Sequence, residues 1–357
     1  MLAIKSPDTY YHEPGLRHEA GKIIATLSQN ILLIASPRAW AQIGPDLEVS
    51  LRQHNVRWRV EMMNGECSDT VIAHFIDRAK LAGAGLILGV GGGRVLDTAK
   101  AVANGLEQVM SVTFPTIAAT CAAWSPLTII YDDAGRYQRR LLLDRLPKAV
   151  LVDSEIIAKS SVRYLKAGIV DALAKWYEFA PYQRLEPASL ALNLKVQTAR
   201  QALDTFRQYG TQALLDNEQG LVSEALIRVI DASIAIAGMA NSIREDNPTP
   251  GVAHAIHNRL TWEPELHHWL HGEKVGFCLL VQSLLERGDI GPDPELLAFL
   301  RQYEMPLTLA PLSAPDPTVF RAIAEGVTIP DSAAKRLPFD VSTAALEQAL
   351  HASSVQF

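Results

Sequence analysis

Residues 85–100 read Gly-Leu-Ile-Leu-Gly-Val-Gly-Gly-Gly-Arg-Val-Leu-Asp-Thr-Ala-Lys. The stretch 85–90 has the continuous apolar character of a buried strand, and a helix can begin at Arg94 and run to about Gly105. Between them Gly91, Gly92 and Gly93 form a turn without β-carbons. Backbone N–H groups in such a turn can approach a phosphate closely, and the positive end of the helix dipole favours the anion. The spacing is not G-x-G-x-x-G, and a plain strand-to-helix connection can use the same glycines. Taken alone, the segment predicts a strand–turn–helix unit with a candidate phosphate cradle.

The same alternation extends on both sides. Runs 31–35 (ILLIA), 56–62 (VRWRVEM) and 149–153 (AVLVD) read as further strands, and Ser68 or Asp69 can cap a helix start. The apolar stretch 112–131, broken by Pro115 and Pro126, reads as strand and loop. Strands joined by helical crossovers predict a parallel, Rossmann-like sheet. After Asp153 strand signals fade, and 188–206, 221–242 and 274–287 carry apolar residues at helical spacing. The chain is therefore divided into an α/β nucleotide-binding domain, 1–158, and an all-helical domain, 159–357. No internal repeat interrupts this pattern.

A chain of 357 residues with 48% hydrophobic content suffices for two packed domains. Its net charge of −6 gives no reason to expect nucleic acid or an anionic membrane as partner, which leaves small-molecule chemistry. Cys67, Cys121 and Cys278 form neither a disulfide framework nor a zinc-binding spacing, so a reducing, cytoplasmic setting is expected. The N-terminus lacks the pattern of a secretory signal, and no long uninterrupted apolar segment follows.

GVGGGRVLDTAKA resembles the GGG-x-x-x-D-x-A-K signature of iron-containing alcohol dehydrogenases and glycerol dehydrogenases. The resemblance continues through Pro115–Thr120 (PTIAAT), Leu127–Tyr131 (LTIIY) and the run from Val150 to Trp176. It implies the dehydroquinate synthase-like fold of that family, an α/β domain with a parallel sheet plus an all-α domain. It also implies NADP(H) or NAD(H), with the pyrophosphate at Gly92, Gly93, Arg94 and Asp97 and the nicotinamide nucleotide along Thr116, Ser125, Leu127 and Tyr131.

Asp171 in AGIVDALAKW, His254 in GVAHAIHNRL and His271 in HHWLHGEKVGF offer one carboxylate and two imidazoles, which leave an open position on a divalent cation. Singly, each also fits a hydrogen-bonded core or surface residue. Together they match the metal-ligand segments of glycerol dehydrogenases. The resemblance thus implies a Lewis-acid site for hydride transfer between a small carbonyl compound and its alcohol, with zinc expected ahead of iron. His257, three residues after His254, is placed to support the site or relay a proton. His267 and His268 are expected to be solvated or at an interface. Relatives that bind iron through four ligands have a histidine four residues after the aspartate, where this chain has Lys175.

The chain departs from glycerol dehydrogenases at three places. Their loop aspartate, which contacts the polyol, is replaced by Cys121, and Ala119–Trp124 followed by DALAKW resembles hydroxycarboxylate dehydrogenase A, which interconverts 2-oxo and 2-hydroxy acids. Cys121 and Lys175 are accordingly candidate substrate residues that make the pocket tolerant of a carboxylate; alternatively, Lys175 only balances Asp171. After the strand 31–35, Ser36 or Pro37 replaces the aspartate of NAD-preferring relatives, and Arg38 follows, so NADP(H) is expected to be accepted. Arg244, Glu245, Asp246 and Arg259 put charge near the expected cleft, either reshaping it or forming a local ion-pair cluster.

The expected function is reduction of 2-oxo acids and oxidation of 2-hydroxy acids, in a chain that forms homo-oligomers. A polyol or amino-alcohol dehydrogenase is the alternative within enzymes. A dehydroquinate synthase-like lyase would need glutamate in place of Asp171. A catalytically silent nucleotide-binding sensor is the reading from another class.

Overall fold

The computed structural model describes residues 2–310, 312 and 317–354. Six strands, β1 (Thr9–His12), β2 (Asn30–Ala35), β3 (Arg57–Met62), β4 (Leu86–Gly91), β5 (Met110–Pro115) and β6 (Ala149–Val152), form one sheet in the order β3-β2-β4-β5-β6-β1. Every pairing within it is parallel. The central strands are buried on both faces, which explains their unbroken apolar sequences. Ile31 and Leu33 of β2 pack with Ile43 and Leu47 of helix α1 (Pro37–Gln53). Leu32 and Ile34 point the other way, toward Phe75 of α2 (Asp69–Ala82) and Ala99 of α3 (Gly93–Asn104).

The chain moves from β2 outward to β3 and then returns to β4 on the other side of β2. This reversal opens a crevice at the carboxyl ends of β2 and β4, the place where open parallel sheets bind ligands. The glycine turn and Ser36 meet there. Gly91 has φ +153, and an added Cβ would lie 3.5 Å from the Ser36 hydroxyl.

The second half is built on α4 (Val162–Leu185), α5 (Leu190–Glu218), α6 (Val252–Leu260) and α7 (His271–Arg287). A helical stretch at Glu224–Ser242, containing a π-turn at Ala232–Ile236, is long and apolar enough to cross a bilayer. Two thirds of it, 67%, is buried in this fold, where it packs into the core with α4 and α5. Glu224, Arg228 and Asp231 interrupt its apolar run. The expectation of an all-helical second domain needs one correction, because Ile243–Arg244 forms a short strand antiparallel to Ala3–Ile4. Two residues at the start of the chain thereby cross to the second half. The connector 159–161 separates the short helix Ser154–Ala158 from α4, whose first turn Ser161 caps.

Close backbone contacts join the halves. A Cβ on Gly168 would lie 1.8 Å from the Ala118 carbonyl oxygen, and within the second half one on Gly272 would lie 1.9 Å from that of Ala167. Only glycine lets α4 press against the loop after β5 and lets α7 press against α4. Tyr10 and His12 of β1 add hydrogen bonds of 2.7 and 2.6 Å to Asp231.

Candidate active site

The three expected ligands converge. Asp171 lies in the middle of α4, His254 in the first turn of α6 and His271 at the start of α7, and their ligand atoms all lie within 4.8 Å of one another. Both imidazole Nε2 atoms are 3.3 Å from Asp171 Oδ1. Two ligands held about 2.0–2.1 Å from one ion at a tetrahedral angle stand roughly 3.3–3.4 Å apart, so the donor set fits a divalent cation with one position left open.

Glu178, which sequence reasoning missed, organises this cluster. It stands two helical turns after Asp171 and is 3% exposed. Its carboxylate accepts from the His254 ring at Nδ1, at 2.9 and 2.8 Å, and from the His254 backbone N–H at 2.9 Å. The first contact leaves Nε2 as the free ligand atom, and the second caps the N-terminus of α6. Gly251 is needed for this approach, since a Cβ there would lie 1.9 Å from Glu178 Oε1. The detectable signal was the polar stripe Asp171, Lys175, Glu178 on an otherwise apolar helix.

Burial pulls the His254 pKa down, but the Glu178 carboxylate overrides it and raises it to about 9. Burial pushes the Asp171 carboxyl up, yet the Lys175 ammonium and the two imidazoles hold it well below the usual carboxylate range. His257 is buried, and burial followed by His271 lowers its pKa well below that of a free imidazole. Its ring packs on His271 with centroids 4.3 Å apart, and its Nδ1 lies 3.3 Å from Asn258 Oδ1. His257 therefore supports His271 by packing; no hydrogen bond joins it to the ligand cluster as a proton relay. His267 and His268 are exposed, as expected.

Lys175 departs from its expected role as a carboxylate receiver. Its ammonium donates to Asp171 Oδ1 and to the Asp171 carbonyl, both at 2.8 Å, within a buried pair. The reading in which it balances Asp171 is the one the geometry supports. Cys121 is buried beside this pair, accepts from Asn241 Nδ2 at 3.5 Å, and has its thiol pushed up to about 11 by burial, so it is neutral at physiological pH.

On the other wall, Gly92 begins α3 with no side-chain cap, whereas Ser36 and Ser68 cap α1 and α2. The free N–H groups at the start of α3 suit an anion. Ser36, Arg38, Gln42, Gly92, Thr116 and Tyr164 share one hollow above the sheet reversal. A Cβ on Gly93 would lie 3.5 Å from the Thr120 hydroxyl, which places that residue against the loop after β5. Arg94 is paired with Glu66 at 2.9 Å.

Asp97, expected at the pyrophosphate, is not among the residues that line this hollow, and its contacts are those of a positioning residue. Its buried carboxylate accepts from the Ile129 N–H at 3.1 Å and lies 2.9 Å from the Lys100 ammonium. Lys100 in turn donates to the carbonyls of Ser125 and Leu127 at 3.0 and 2.8 Å. This clamp fixes the strand Leu127–Tyr131 against α3, and the Ser125 hydroxyl accepts from the Leu127 N–H at 3.3 Å. Burial raises the Tyr131 pKa, which keeps the phenol neutral.

The charged segment before α6 is mainly an ion-pair and hydrogen-bond cluster. Glu245 accepts from Ser189 at 3.1 Å and lies 3.5 Å from Arg336, which also pairs with Glu186. Lys195 donates to Thr249 at 2.8 Å, and Tyr182 donates to the Pro250 carbonyl at 2.9 Å. Arg259 pairs with Glu263, just beyond the end of its helix. These contacts tie down the approach to His254.

Comparison with known proteins agrees with this arrangement. Residues 7–154 match the family profile described as iron-containing alcohol dehydrogenase. A glycerol dehydrogenase of Pseudomonas putida is 34% identical over 346 residues, 95% of this chain and 93% of that protein. Hydroxycarboxylate dehydrogenase A of Escherichia coli is 37% identical over 262 residues, covering 70% of this chain and 69% of its own length. The crystal structure of a probable glycerol dehydrogenase from Sinorhizobium meliloti superposes with a TM-score of 0.86 at 29% identity, over 98% of this chain and 97% of that one. The chain belongs to the iron-containing alcohol dehydrogenase family, in its glycerol dehydrogenase-like branch, and is an oxidoreductase of that kind.

Proposed function

We propose that this chain is a metal-dependent NAD(P)H oxidoreductase acting on a small alcohol whose neighbouring carbon carries a second oxygen, the class that spans polyols such as glycerol and 2-hydroxy acids. The observation that carries this reading is the convergence of Asp171, His254 and His271 within 4.8 Å. The glycerol dehydrogenase relatives favour the polyol arm; the thiol of Cys121 favours the acid arm.

Asp171, His254 and His271 would hold the cation, and Gly92, Gly93, Ser36, Arg38 and Thr116 the nucleotide. A divalent ion in this donor set supplies Lewis-acid polarisation of the reacting oxygen, and a nicotinamide supplies or accepts the hydride. With a nicotinamide bound, oxidation of the alcohol would give up a hydride from the carbinol carbon to the cofactor and the hydroxyl proton to solvent, leaving a C=O bond. Glu178 sets the His254 tautomer, and Lys175 holds the Asp171 carboxylate in place. One oxygen and two nitrogen donors suit zinc first and iron second. Ser36 and Arg38 carry no carboxylate against a 2′-phosphate, which supports acceptance of NADP(H). A cytoplasmic setting, consistent with three buried free thiols, and a homo-oligomeric state belong to the same proposal.

The test is elemental analysis of the purified protein followed by NADPH and NADH oxidation with dihydroxyacetone, 2-oxo acids and simple ketones. Metal-dependent turnover of α-oxygenated carbonyls above simple ketones is expected. Bound metal with no turnover across the panel would overturn the reading in favour of a silent nucleotide-binding member.

A further inference from the structure

Asp171 Oδ1 stands 3.3 Å from Nε2 of both His254 and His271, the separation of ligands that share one ion. The same oxygen accepts from the Lys175 ammonium at 2.8 Å. Lys175 follows Asp171 by four residues on α4, so the two side chains share one face of that helix. Its other hydrogen bond, also 2.8 Å, goes to the Asp171 carbonyl. Among the described residues, both acceptors of this ammonium therefore belong to Asp171.

The ammonium is confined there. Lys175 is 4% exposed and Asp171 2%, so neither charge reaches bulk water. Glu178 is the next carboxylate along the helix, and both of its oxygens are taken by His254 Nδ1. A buried lysine that left Asp171 would become an unpaired charge, which is strongly unfavourable. A divalent ion on Asp171 Oδ1 thus shares that oxygen with a fixed positive charge. Two effects then oppose each other. A hydrogen-bonded partner that orients a ligand strengthens metal binding about ten- to a hundredfold. Asp171 gains little in this way, because Gly168, one turn earlier, already presses this face of α4 on the loop after β5. Repulsion between an ammonium and a divalent ion only ångströms apart, in a medium that screens far less than water, is the larger effect.

We propose that Lys175 is an internal counter-ion that competes with the divalent ion for Asp171, so that this chain holds its metal weakly and exchanges it readily. The proposal rests on the metal-dependent reading given above and adds to it the residue that sets the affinity of the site. One contact has two consequences. It neutralises a buried carboxylate, which stabilises the middle of α4, and it sets a positive charge against the ion, which loosens the ion. Lys175 keeps its proton throughout, and the hydride and proton balance of the reaction is unchanged.

The test measures zinc affinity at constant pH by competition with a chelating dye, and the rate of zinc release into excess chelator. It compares the wild type with Lys175→Gln, Lys175→Met and Lys175→Arg, each checked for folding by circular dichroism. Glutamine keeps a neutral donor for Asp171, so this variant removes the charge with least risk to the fold. Lys175→Gln should bind zinc at least about tenfold more tightly than the wild type and release it at least about tenfold more slowly, and folded Lys175→Met should do the same. Lys175→Arg keeps the charge and should stay within about threefold of the wild type. A residue that only orients Asp171 would give the opposite sign, weaker binding once it is replaced. Equal or weaker binding in Lys175→Gln overturns the proposal and leaves the metal site standing. Tightening of the same size in Lys175→Arg also overturns it, since charge would then not be the cause. Absence of bound zinc in the wild type and every variant would overturn the metal-dependent reading together with the proposal.

Discussion

Replacing Glu178 with Gln tests how the cluster is organised. In the metal-free protein Glu178 raises the His254 pKa from 6.5 to about 9, so at pH 7 a cation must displace a proton from that ring. The two units between pH 7 and 9 correspond to about a hundredfold in apparent affinity, or about 2.7 kcal/mol. Wild-type affinity should therefore rise about tenfold per pH unit across that interval and level off above it. In Glu178→Gln the charge that favours protonated His254 is gone, and the rise should shrink to less than about threefold. Above pH 9, where proton competition has ended in both proteins, the variant should bind about 10- to 100-fold more weakly, because the group that orients His254 has lost its charge. Linkage for the metal-free protein runs the same way: the raised pKa stabilises the fold below pH 6.5, and this contribution is lost as pH rises through about 9. The assay is competition with a chelating zinc dye at half-unit steps from pH 6.5 to 9.5. Parallel pH profiles for the two proteins would refute the reasoning.

Lys195, which burial depresses to about 8, should make unfolding free energy rise by roughly 3 kcal/mol as pH climbs from below 8 to above 10, because the unfolded chain then binds the extra proton; Lys195→Met should flatten that rise in urea unfolding. Gly168→Ala should cost about 3 kcal/mol or more and lower the melting temperature by about 4 °C or more, since its Cβ would lie 1.8 Å from the Ala118 carbonyl oxygen on the contact that sets α4; an unchanged melting curve would count against that contact. Ser36→Asp should shift the kcat/KM ratio toward NADH by at least about tenfold, by placing a carboxylate against a 2′-phosphate, and an unchanged ratio would move the nucleotide away from this hollow.

Much of the fold was legible because each central strand carries its burial in its own residues: ILLIA and LILGV are apolar on both faces. Thr9–His12 was not legible, since TYYH becomes a strand only by pairing with Ala149–Val152, far along the chain. The three ligands could be found because each sits in a short recognisable segment. The groups that organise them act across elements and left weaker marks: Glu178 reaches from α4 to His254, and Lys100 reaches from α3 to the carbonyls of residues 125 and 127. Charge matching was the least readable feature. Lys175 stood out in sequence but is neutralised by Asp171, while Glu273 is taken by Arg163 from another helix. Such pairings depend on which helices meet, and periodicity along one helix does not contain that information.

The central claim is that Asp171, His254 and His271 together hold one divalent ion. Elemental analysis of the wild type and of Asp171→Asn, His254→Ala and His271→Ala, each first stripped by chelator, reloaded with zinc or ferrous iron and checked for folding by circular dichroism, tests it most directly. The account predicts about one equivalent per chain in the wild type and below about a tenth in each folded variant. A full equivalent retained by all three would contradict it.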